Sequence, residues 1–361
     1  MSYPSPLAEH YETLEAVTMP FGEAVAIIGE VASTEIEYAA IRKGVALLDC
    51  PHRALLRVAG KDRLDFLHRM FTNDCLSLER GDVRRMFLLN VKGRIMADLV
   101  VIEQGEHTLL ETFIHEADIV AAELDKLLFG EDVQIENLTQ THHGIALHGP
   151  KADAVLQWWR DGVMEMPDAF DYRMDETGEP GLHLWAPAQA FARLAEKHDD
   201  LAETFALKHT GWLGYNMARI EAGTPLFHVD FGTDSLPHET GQTLLNEAVS
   251  FTKGCYRGQE VVARMQSLGH PAKLLVGWRG DGVALPVAGT PMREAAEGGA
   301  KAVGAVTSST FSPMLSSAPI GFAIVKWSHR AEGTELFAPV EGETAAVHVH
   351  DLKFYAPGDE G

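Results

Sequence analysis

The chain has 361 residues, 46% of them hydrophobic and 23% charged, a composition typical of a globular protein with two or three domains. Its 52 acidic and 30 basic residues give a net charge of −22, which repels phosphate backbones and anionic lipid and argues against direct nucleic-acid binding. No apolar run reaches the ~18 residues of a membrane span, so we expect no membrane association.

The N-terminus and the cysteines indicate the compartment. Residues 1–15 carry three glutamates and no Lys or Arg, unlike a signal or transit peptide. The three cysteines, Cys50, Cys75 and Cys255, are far apart and form no C-x-x-C pair. This spacing argues against a disulfide framework and a cysteine-built metal site. We therefore expect a cytoplasmic protein without a metal site.

The first half of the chain alternates strand and helix patterns. Thr34 and Glu37 have the spacing of a capping box, which predicts a helix that ends near Gly44. The order of the elements that follow predicts helices packed on one face of an antiparallel sheet. These elements are strands over 53–59, 85–91, 95–103, 107–113 and 133–138, a helix capped by Asp62, and a helix over 116–129.

A similar cycle begins after residue 140. Strands are predicted over 143–148 and 181–185, and helices over 152–160 and 190–197, so we expect two related α+β units. From Lys273 short strands alternate with turns, which predicts a small β-barrel or a β-sandwich. The expected domains are therefore 1–140, 141–270 and 271–361.

One segment, Lys253-Gly254-Cys255-Tyr256-Arg257-Gly258-Gln259-Glu260, stands out for chemistry. Its glycines permit close approach of the backbone to a ligand, and its cations favour a thiolate at Cys255. The segment therefore predicts a functional thiol, and the alternative is a tight loop with an inert cysteine. Cys50 and Cys75 lie beside leucines and are expected to pack as small hydrophobic residues.

Several segments together resemble the superfamily of the glycine cleavage T-protein, a folate-dependent aminomethyltransferase. The Lys253–Glu260 segment is similar to the YgfZ-type branch, which comprises folate-binding proteins of iron–sulfur cluster maintenance, and differs from true T-proteins. The resemblance implies two α+β domains and a C-terminal β-barrel, arranged as a cloverleaf around a central tetrahydrofolate funnel. The matching segments are 42–74, 92–101, 177–187, 219–231 and 303–325.

The resemblance also implies roles for single residues. Asp98 keeps the second acid of the D-D-L run beside the reactive nitrogen of the folate, although in isolation it could equally face solvent. Glu179 keeps the last acid of the T-G-Y-T-G-E segment, whose carboxylate accepts two hydrogen bonds from the pterin; by itself it would be a turn residue. Cys255 and Asp98 are the catalytic candidates, and the cofactor-binding candidates are Glu179, Asp98, Arg219, Lys253, Tyr256, Gln259 and Arg264.

Some family positions differ in this chain. A T-protein tyrosine falls on Arg85, an asparagine falls on Glu111, and an arginine is replaced in Tyr215-Asn216. Because methylene transfer requires a fixed geometry, these changes put that reaction in doubt.

Three hypotheses follow. The leading one is a protein that binds tetrahydrofolate, or a one-carbon derivative of it, and supports assembly or repair of iron–sulfur clusters, with iron–sulfur client or assembly proteins as partners. The alternatives are an aminomethyltransferase with a lipoyl-carried donor and an interaction scaffold without folate.

Overall fold

The computed structural model describes residues 5–23, 25–162, 168–297 and 299–355. Within them the first strands are β1 (Val17–Phe21), β2 (Val25–Glu30), β3 (Val45–Asp49), β4 (Arg53–Ala59), β5 (Val83–Leu89), β6 (Ile95–Glu103), β7 (His107–Phe113) and β8 (Gln134–Asn137). They continue with β9 (His142–His148), β10 (Phe170–Arg173), β11 (Gly181–Pro187), β12 (Leu207–Thr210), β13 (Lys273–Gly280), β14 (Pro291–Arg293), β15 (Ala302–Ser312), β16 (Ala318–Lys326), β17 (Glu335–Val340) and β18 (Glu343–His350).

The helices lie mainly between these strands. In chain order they are α1 (Ala8–Thr13), α2 (Thr34–Lys43), α3 (Arg63–Met70), α4 (Ala117–Asp125), α5 (Ala152–Gly162), α6 (Ala190–Glu196), α7 (His198–Phe205), α8 (Trp212–Ala222), α9 (Gln242–Ala248) and α10 (Gln259–Leu268). In the described part of the chain, no helix combines the length and apolarity needed to cross a membrane.

Two five-stranded sheets form the α+β part. The first sheet has the order β5-β6-β7-β4-β8 and is antiparallel throughout. The second has the order β10-β11-β9-β3-β12, and its edge strand β12 runs parallel to β3, so the expectation of purely antiparallel sheets is corrected there. A domain boundary at residue 140 assigns β3 to the first unit, but β3 lies in the second sheet.

The sheets face each other and carry their helices on their outer sides. In the first sheet, Leu56 and Leu99 pack against Phe66 of α3 and Leu124 of α4. Helices α5 to α7 cover the second sheet in the same way. The opposite faces of both sheets contribute to one shared apolar cluster. Because strand side chains alternate, each buried strand has one helix-facing side and one side facing the other sheet.

The C-terminal strands close into a barrel with the order β13-β16-β15-β14-β17-β18. The predicted fold class of two α+β units and a β-barrel is therefore confirmed, and of the two alternatives for the last region the barrel is the correct one. A closed barrel has no unpaired sheet edge, which suits a region of short strands.

Two local predictions need correction. Thr34 does not form the capping box with Glu37, because the Glu37 carboxylate instead accepts hydrogen bonds from the backbone N–H groups of Val31 (2.6 Å) and Gly211 (2.8 Å). The helix predicted over 116–129 ends at Asp125, before the exposed Phe129.

Candidate functional site

The facing sides of the two sheets have an apolar region, and the half beyond it on one side carries buried charged and polar side chains. Leu55, Leu109 and Phe170 belong to the apolar cluster between the sheets. Arg53 lies two residues before Leu55 on β4, and Glu111 lies two residues after Leu109 on β7, so both share the face of these leucines. The charged and polar side chains begin at these two residues. The polar half is the candidate functional site, and we call it the inter-sheet site.

Glu111 links the two sheets through hydrogen bonds. Its fully buried carboxylate accepts hydrogen bonds from Arg53 Nε at 2.7 Å, from the Tyr172 hydroxyl at 2.6 Å and from Trp185 Nε1 at 2.7 Å. Tyr172 and Trp185 belong to the second sheet, so one carboxylate satisfies donors from both. Burial, reinforced by the charge of Glu111, raises the pKa of Tyr172 and keeps its phenol protonated as a donor.

Asp98, the predicted catalytic acid, is buried on the same wall. It is 5% exposed, which excludes the alternative of a solvent-facing residue. Its Oδ1 and Oδ2 lie 3.0 Å and 2.5 Å from Nε and Nη2 of Arg85 on the neighbouring strand. Although burial opposes the charge on Arg85, Asp98 raises its pKa. Both carboxylate oxygens are thus engaged by one guanidinium in a bidentate pair.

The opposite wall belongs to the second sheet, and Glu179 lies in the turn between its strands β10 and β11. It is 7% exposed, and its Oε1 lies 3.5 Å from Nη1 of Arg42. The same guanidinium donates to the Thr177 carbonyl at 2.7 Å and to Glu221 at 2.6 Å, which ties the turn to α8. Burial raises the pKa of Glu179, and Arg42 only partly offsets that effect.

A cluster around Glu176, which the sequence motifs did not reveal, extends this wall. Glu176 Oε2 lies 3.3 Å from Nε2 of His183 and 4.0 Å from Nε2 of His148. Burial lowers the pKa of His148 to about 4, so its ring is neutral at pH 7. Both ring nitrogens of His148 and the hydroxyl of Thr177 are buried and have no hydrogen-bond partner among the described residues.

Unpaired buried polar groups are rare in native proteins and usually mark a place for water or a ligand. The residues around Glu176 come from two strands and a turn, and only the register that pairs Ala146 with His183 brings them together. In the described ranges, no group of three or more His, Cys, Asp and Glu side chains has the arrangement of a metal site. Because His148 and Thr177 carry no charge, their unpaired polar atoms suit polar groups of a ligand that are themselves neutral.

The Lys253–Glu260 segment is anchored on α3 and the residues that follow it. The ammonium group of Lys253 donates to the carbonyls of Phe71 (2.6 Å), Asn73 (3.0 Å) and His68, and it lies 5.0 Å from the ring of Tyr256. Burial lowers the pKa of Lys253 to about 8. The described polar contacts of Lys253 are with these carbonyls and not with Glu179 or Asp98.

The rest of the segment is fixed by backbone contacts. Gly258 has φ of +82°, and a Cβ there would lie 2.6 Å from the Asn90 carbonyl oxygen, so the loop fits only with glycine at this position. Cys255 is exposed at the tip of this fixed loop, Gln259 begins α10, and Arg264 is exposed on that helix.

Arg219 has a different position from the one its predicted role suggests. It is fully buried and pairs with Asp230 at 2.7 Å, while its Nη2 donates to Ser308 of the barrel at 2.7 Å. Its described contacts tie α8 to β15. Of the predicted site residues, Asp98 lies on the first sheet and Glu179 lies in a turn of the second, where its described ion pair is with Arg42.

Comparison with known proteins gives the same family over most of the chain. Residues 30–174 match the GCVT N-terminal domain, and residues 273–356 match the glycine cleavage T-protein C-terminal barrel domain. An aminomethyltransferase from Caldanaerobacter subterraneus subsp. tengcongensis is 27% identical over 97% of this chain and 95% of its own length. Another, from Bacillus subtilis, is 26% identical over 97% of this chain and 98% of its own length.

A solved structure agrees with these relatives. The crystal structure of glycine cleavage system aminomethyltransferase T from Bartonella henselae matches with a TM-score of 0.87 and 26% identity, over 98% of both chains. All three of these proteins are named aminomethyltransferases, and they support the superfamily but not the YgfZ-type branch. By its two matched domains and its fold, the chain belongs to the glycine cleavage T-protein superfamily.

Proposed function

We propose that this protein binds a reduced folate in the inter-sheet site, with the pterin against Glu179, Thr177 and His148. The observation that carries the proposal is the set of buried polar atoms without partners on His148 and Thr177. A pterin presents amino and ring N–H donors beside a carbonyl and ring-nitrogen acceptors. Such a ligand would satisfy a carboxylate, a hydroxyl and a neutral imidazole together.

The second step concerns what the folate is used for. A carboxylate that assists methylene transfer must be free to approach the folate nitrogen, whereas Asp98 has both oxygens paired with Arg85. This pair favours a role without aminomethyl transfer. We propose that the protein supports assembly or repair of iron–sulfur clusters in client enzymes, as the resemblance of Lys253–Glu260 to the YgfZ-type branch implies. The exposed thiol of Cys255 is then the group accessible to a client.

Aminomethyl transfer is the second candidate, and the comparisons favour it. The relatives named above are aminomethyltransferases that align over nearly their full length. For this chain, that function requires Arg85 to release Asp98 when the folate binds.

Calorimetric titration tests the proposed ligand. Tetrahydrofolate and its methylene form are titrated anaerobically into the wild type, Glu179→Ala and the control Glu136→Ala, which removes a half-exposed carboxylate on β8. Loss of a charge-assisted hydrogen bond predicts a Kd roughly 10- to 100-fold higher for Glu179→Ala and an unchanged Kd for the control. Absence of binding by the wild type would remove both folate-dependent functions and leave the interaction scaffold.

A second experiment separates the two folate-dependent functions. Methylenetetrahydrofolate formation is measured with a lipoyl-protein donor for the wild type and for Arg85→Tyr, which restores the T-protein residue. We expect no turnover by the wild type, and turnover would select aminomethyl transfer. In parallel, client iron–sulfur activity is measured with Cys255→Ser, and full support by that variant would contradict the thiol role.

A further inference from the structure

We propose that a second cavity, separate from the inter-sheet site, binds a methylated ammonium group. This hairpin cavity lies beside the β1–β2 hairpin and has a volume of about 530 Å³. Its walls include Phe21, Ile27, His115, Trp212 and His228. They come from the hairpin, the residues after β7, the start of α8 and the following loop, so four parts of the chain converge on the cavity.

Aromatic rings provide much of the wall. Phe21 and Trp212 stand edge to face, with centroids 5.6 Å apart and planes at 64°. The ring of His115 is nearly parallel to Phe21 at 5.9 Å, and His228 lies 6.1 Å from His115 at 82°. The steep angles of the Phe21–Trp212 and His115–His228 pairs set ring faces in more than one direction at the cavity. That arrangement attracts organic cations.

The charges around the cavity have the sign that a cation needs. Among its described lining residues there is no Lys or Arg, and Glu23 contributes a carboxylate. Behind His228 lies Glu116, which is 2% exposed; its Oε1 accepts from His228 Nε2, and its buried Oε2 has no partner among the described residues. A buried carboxylate with one unsatisfied oxygen is stabilised by a nearby positive charge.

A different cavity of the molecule carries more basic groups than the hairpin cavity. It lies where the α+β part meets the barrel and is lined by Arg94, Lys273 and Lys326, by Asp234 and Glu239, and by Trp327, with Lys273 paired to Asp234 at 2.6 Å. In the hairpin cavity, the combination of apolar walls, ring faces and carboxylates therefore points to a ligand that is both apolar at its surface and positively charged. A methylated ammonium has these properties.

The test uses choline as the probe and 3,3-dimethyl-1-butanol as its neutral isostere. Binding is followed by proton NMR, in which ring currents move the methyl resonance of a ligand held against aromatic faces. We expect choline to bind on the order of tenfold more tightly than the isostere. Equal affinity of the two probes would show an ordinary apolar cavity, and no binding of choline would overturn the proposal outright.

Variants locate the binding. Phe21→Leu and, separately, Trp212→Leu should each weaken choline binding about three- to tenfold, and Glu23→Gln about twofold, since its carboxylate is exposed. The matched control Trp327→Leu removes an indole from the other cavity and should leave choline binding unchanged. Weakening by Trp327→Leu without weakening by Phe21→Leu would place the probe elsewhere and refute the assignment. The comparison of the two probes uses the wild type, so it tests the proposed binding of a methylated ammonium even if Trp212→Leu fails to fold.

Discussion

The two walls of the inter-sheet site differ in how completely their acids are paired. On the first sheet, Glu111 accepts three hydrogen bonds and Asp98 accepts a bidentate pair. In the second unit, Glu179 has one charged neighbour at 3.5 Å. Neither ring nitrogen of His148 has a hydrogen-bond partner among the residues described. The first wall is complete in the free protein. The second wall has buried polar atoms without hydrogen-bond partners among the described residues, so we expect it to make the contacts to a ligand.

The difference has an energetic reason. A buried ion contributes little when it is well paired but costs several kcal/mol when its partner is removed. A neutral imidazole or hydroxyl without a partner costs less, about 1–3 kcal/mol. A preformed site can therefore leave neutral groups unsatisfied in the free state, but it must pair its charges in advance.

The largest effect is expected from breaking the paired wall. Arg53→Met leaves the carboxylate of Glu111 buried without its cation and should lower the free energy of unfolding by about 3–5 kcal/mol. The double variant Arg53→Met with Glu111→Gln removes the charge but keeps an acceptor for Tyr172 and Trp185, so it should regain much of this loss. Urea unfolding of both variants measures the difference. A double variant no more stable than the single one would contradict the pairing argument.

A protonation experiment addresses the incomplete wall. Burial lowers the pKa of His148 to about 4, below the roughly 6.5 of an unfolded chain. Its contribution to stability is therefore present above pH 6.5 and is lost as the pH falls toward 4, because only the unfolded state then takes up the proton. The expected loss is about 1.4 kcal/mol per pH unit. His148→Gln should reduce the slope of stability between about pH 6 and about pH 4.5 by that amount, and an unchanged slope would refute it.

A smaller effect is expected outside the walls. Lys253→Met removes three donations to the carbonyls that end and follow α3, and it also removes the cost of burying the ammonium. We expect a net loss of about 1–2 kcal/mol in urea unfolding. The same variant should loosen the loop that presents Cys255, which faster hydrogen exchange in residues 254–258 would show. Unchanged exchange there would mean that Lys253 does not hold the loop.

The smallest effect is expected at Arg57, which lies two residues after Leu55 on β4. Arg57 also pairs with a glutamate, Glu136 at 2.5 Å, but its partner is 56% exposed. Arg57→Met should therefore change the free energy of unfolding by less than about 1 kcal/mol. A loss as large as that of Arg53→Met would show that exposure does not set the strength of these pairs.

The sequence predicted elements whose pattern is local. The strands β4, β6 and β7 lie where apolar, β-rich runs of residues predict them, and the C-terminal region is marked by its short strands and turns. Strand β3 was not identified, because the buried run Val45–Asp49 has no alternation and its partners β9 and β12 lie far along the chain. The parallel pairing of β3 with β12 is a long-range contact, which no local sequence pattern predicts.

The site was predicted in part for the same reason. Family motifs predict roles for Asp98 and Glu179, and Arg85 departs from those motifs, but the pairing of Arg85 with Asp98 follows from strand register. The cluster of Glu176, His148 and His183 had no sequence signal, since histidines on separate strands meet only after the sheet forms. The cysteine segment was found by composition, while its anchoring on α3 required the structure.

The position of β3 has a consequence for how the chain is assembled. The second sheet begins with residues 45–49 and resumes with β9 at residue 142, while the whole first sheet lies between them. The N–H of Cys50 bonds to the carbonyl of Gly144, so the two ends of that excursion meet. The first α+β unit is thus an insertion into the second, and its two ends are adjacent. Excision of the unit would expose Phe170 and Trp185, which pack against it in the shared apolar cluster. A short turn joining residues 50 and 142 would leave the strand order of the second sheet intact.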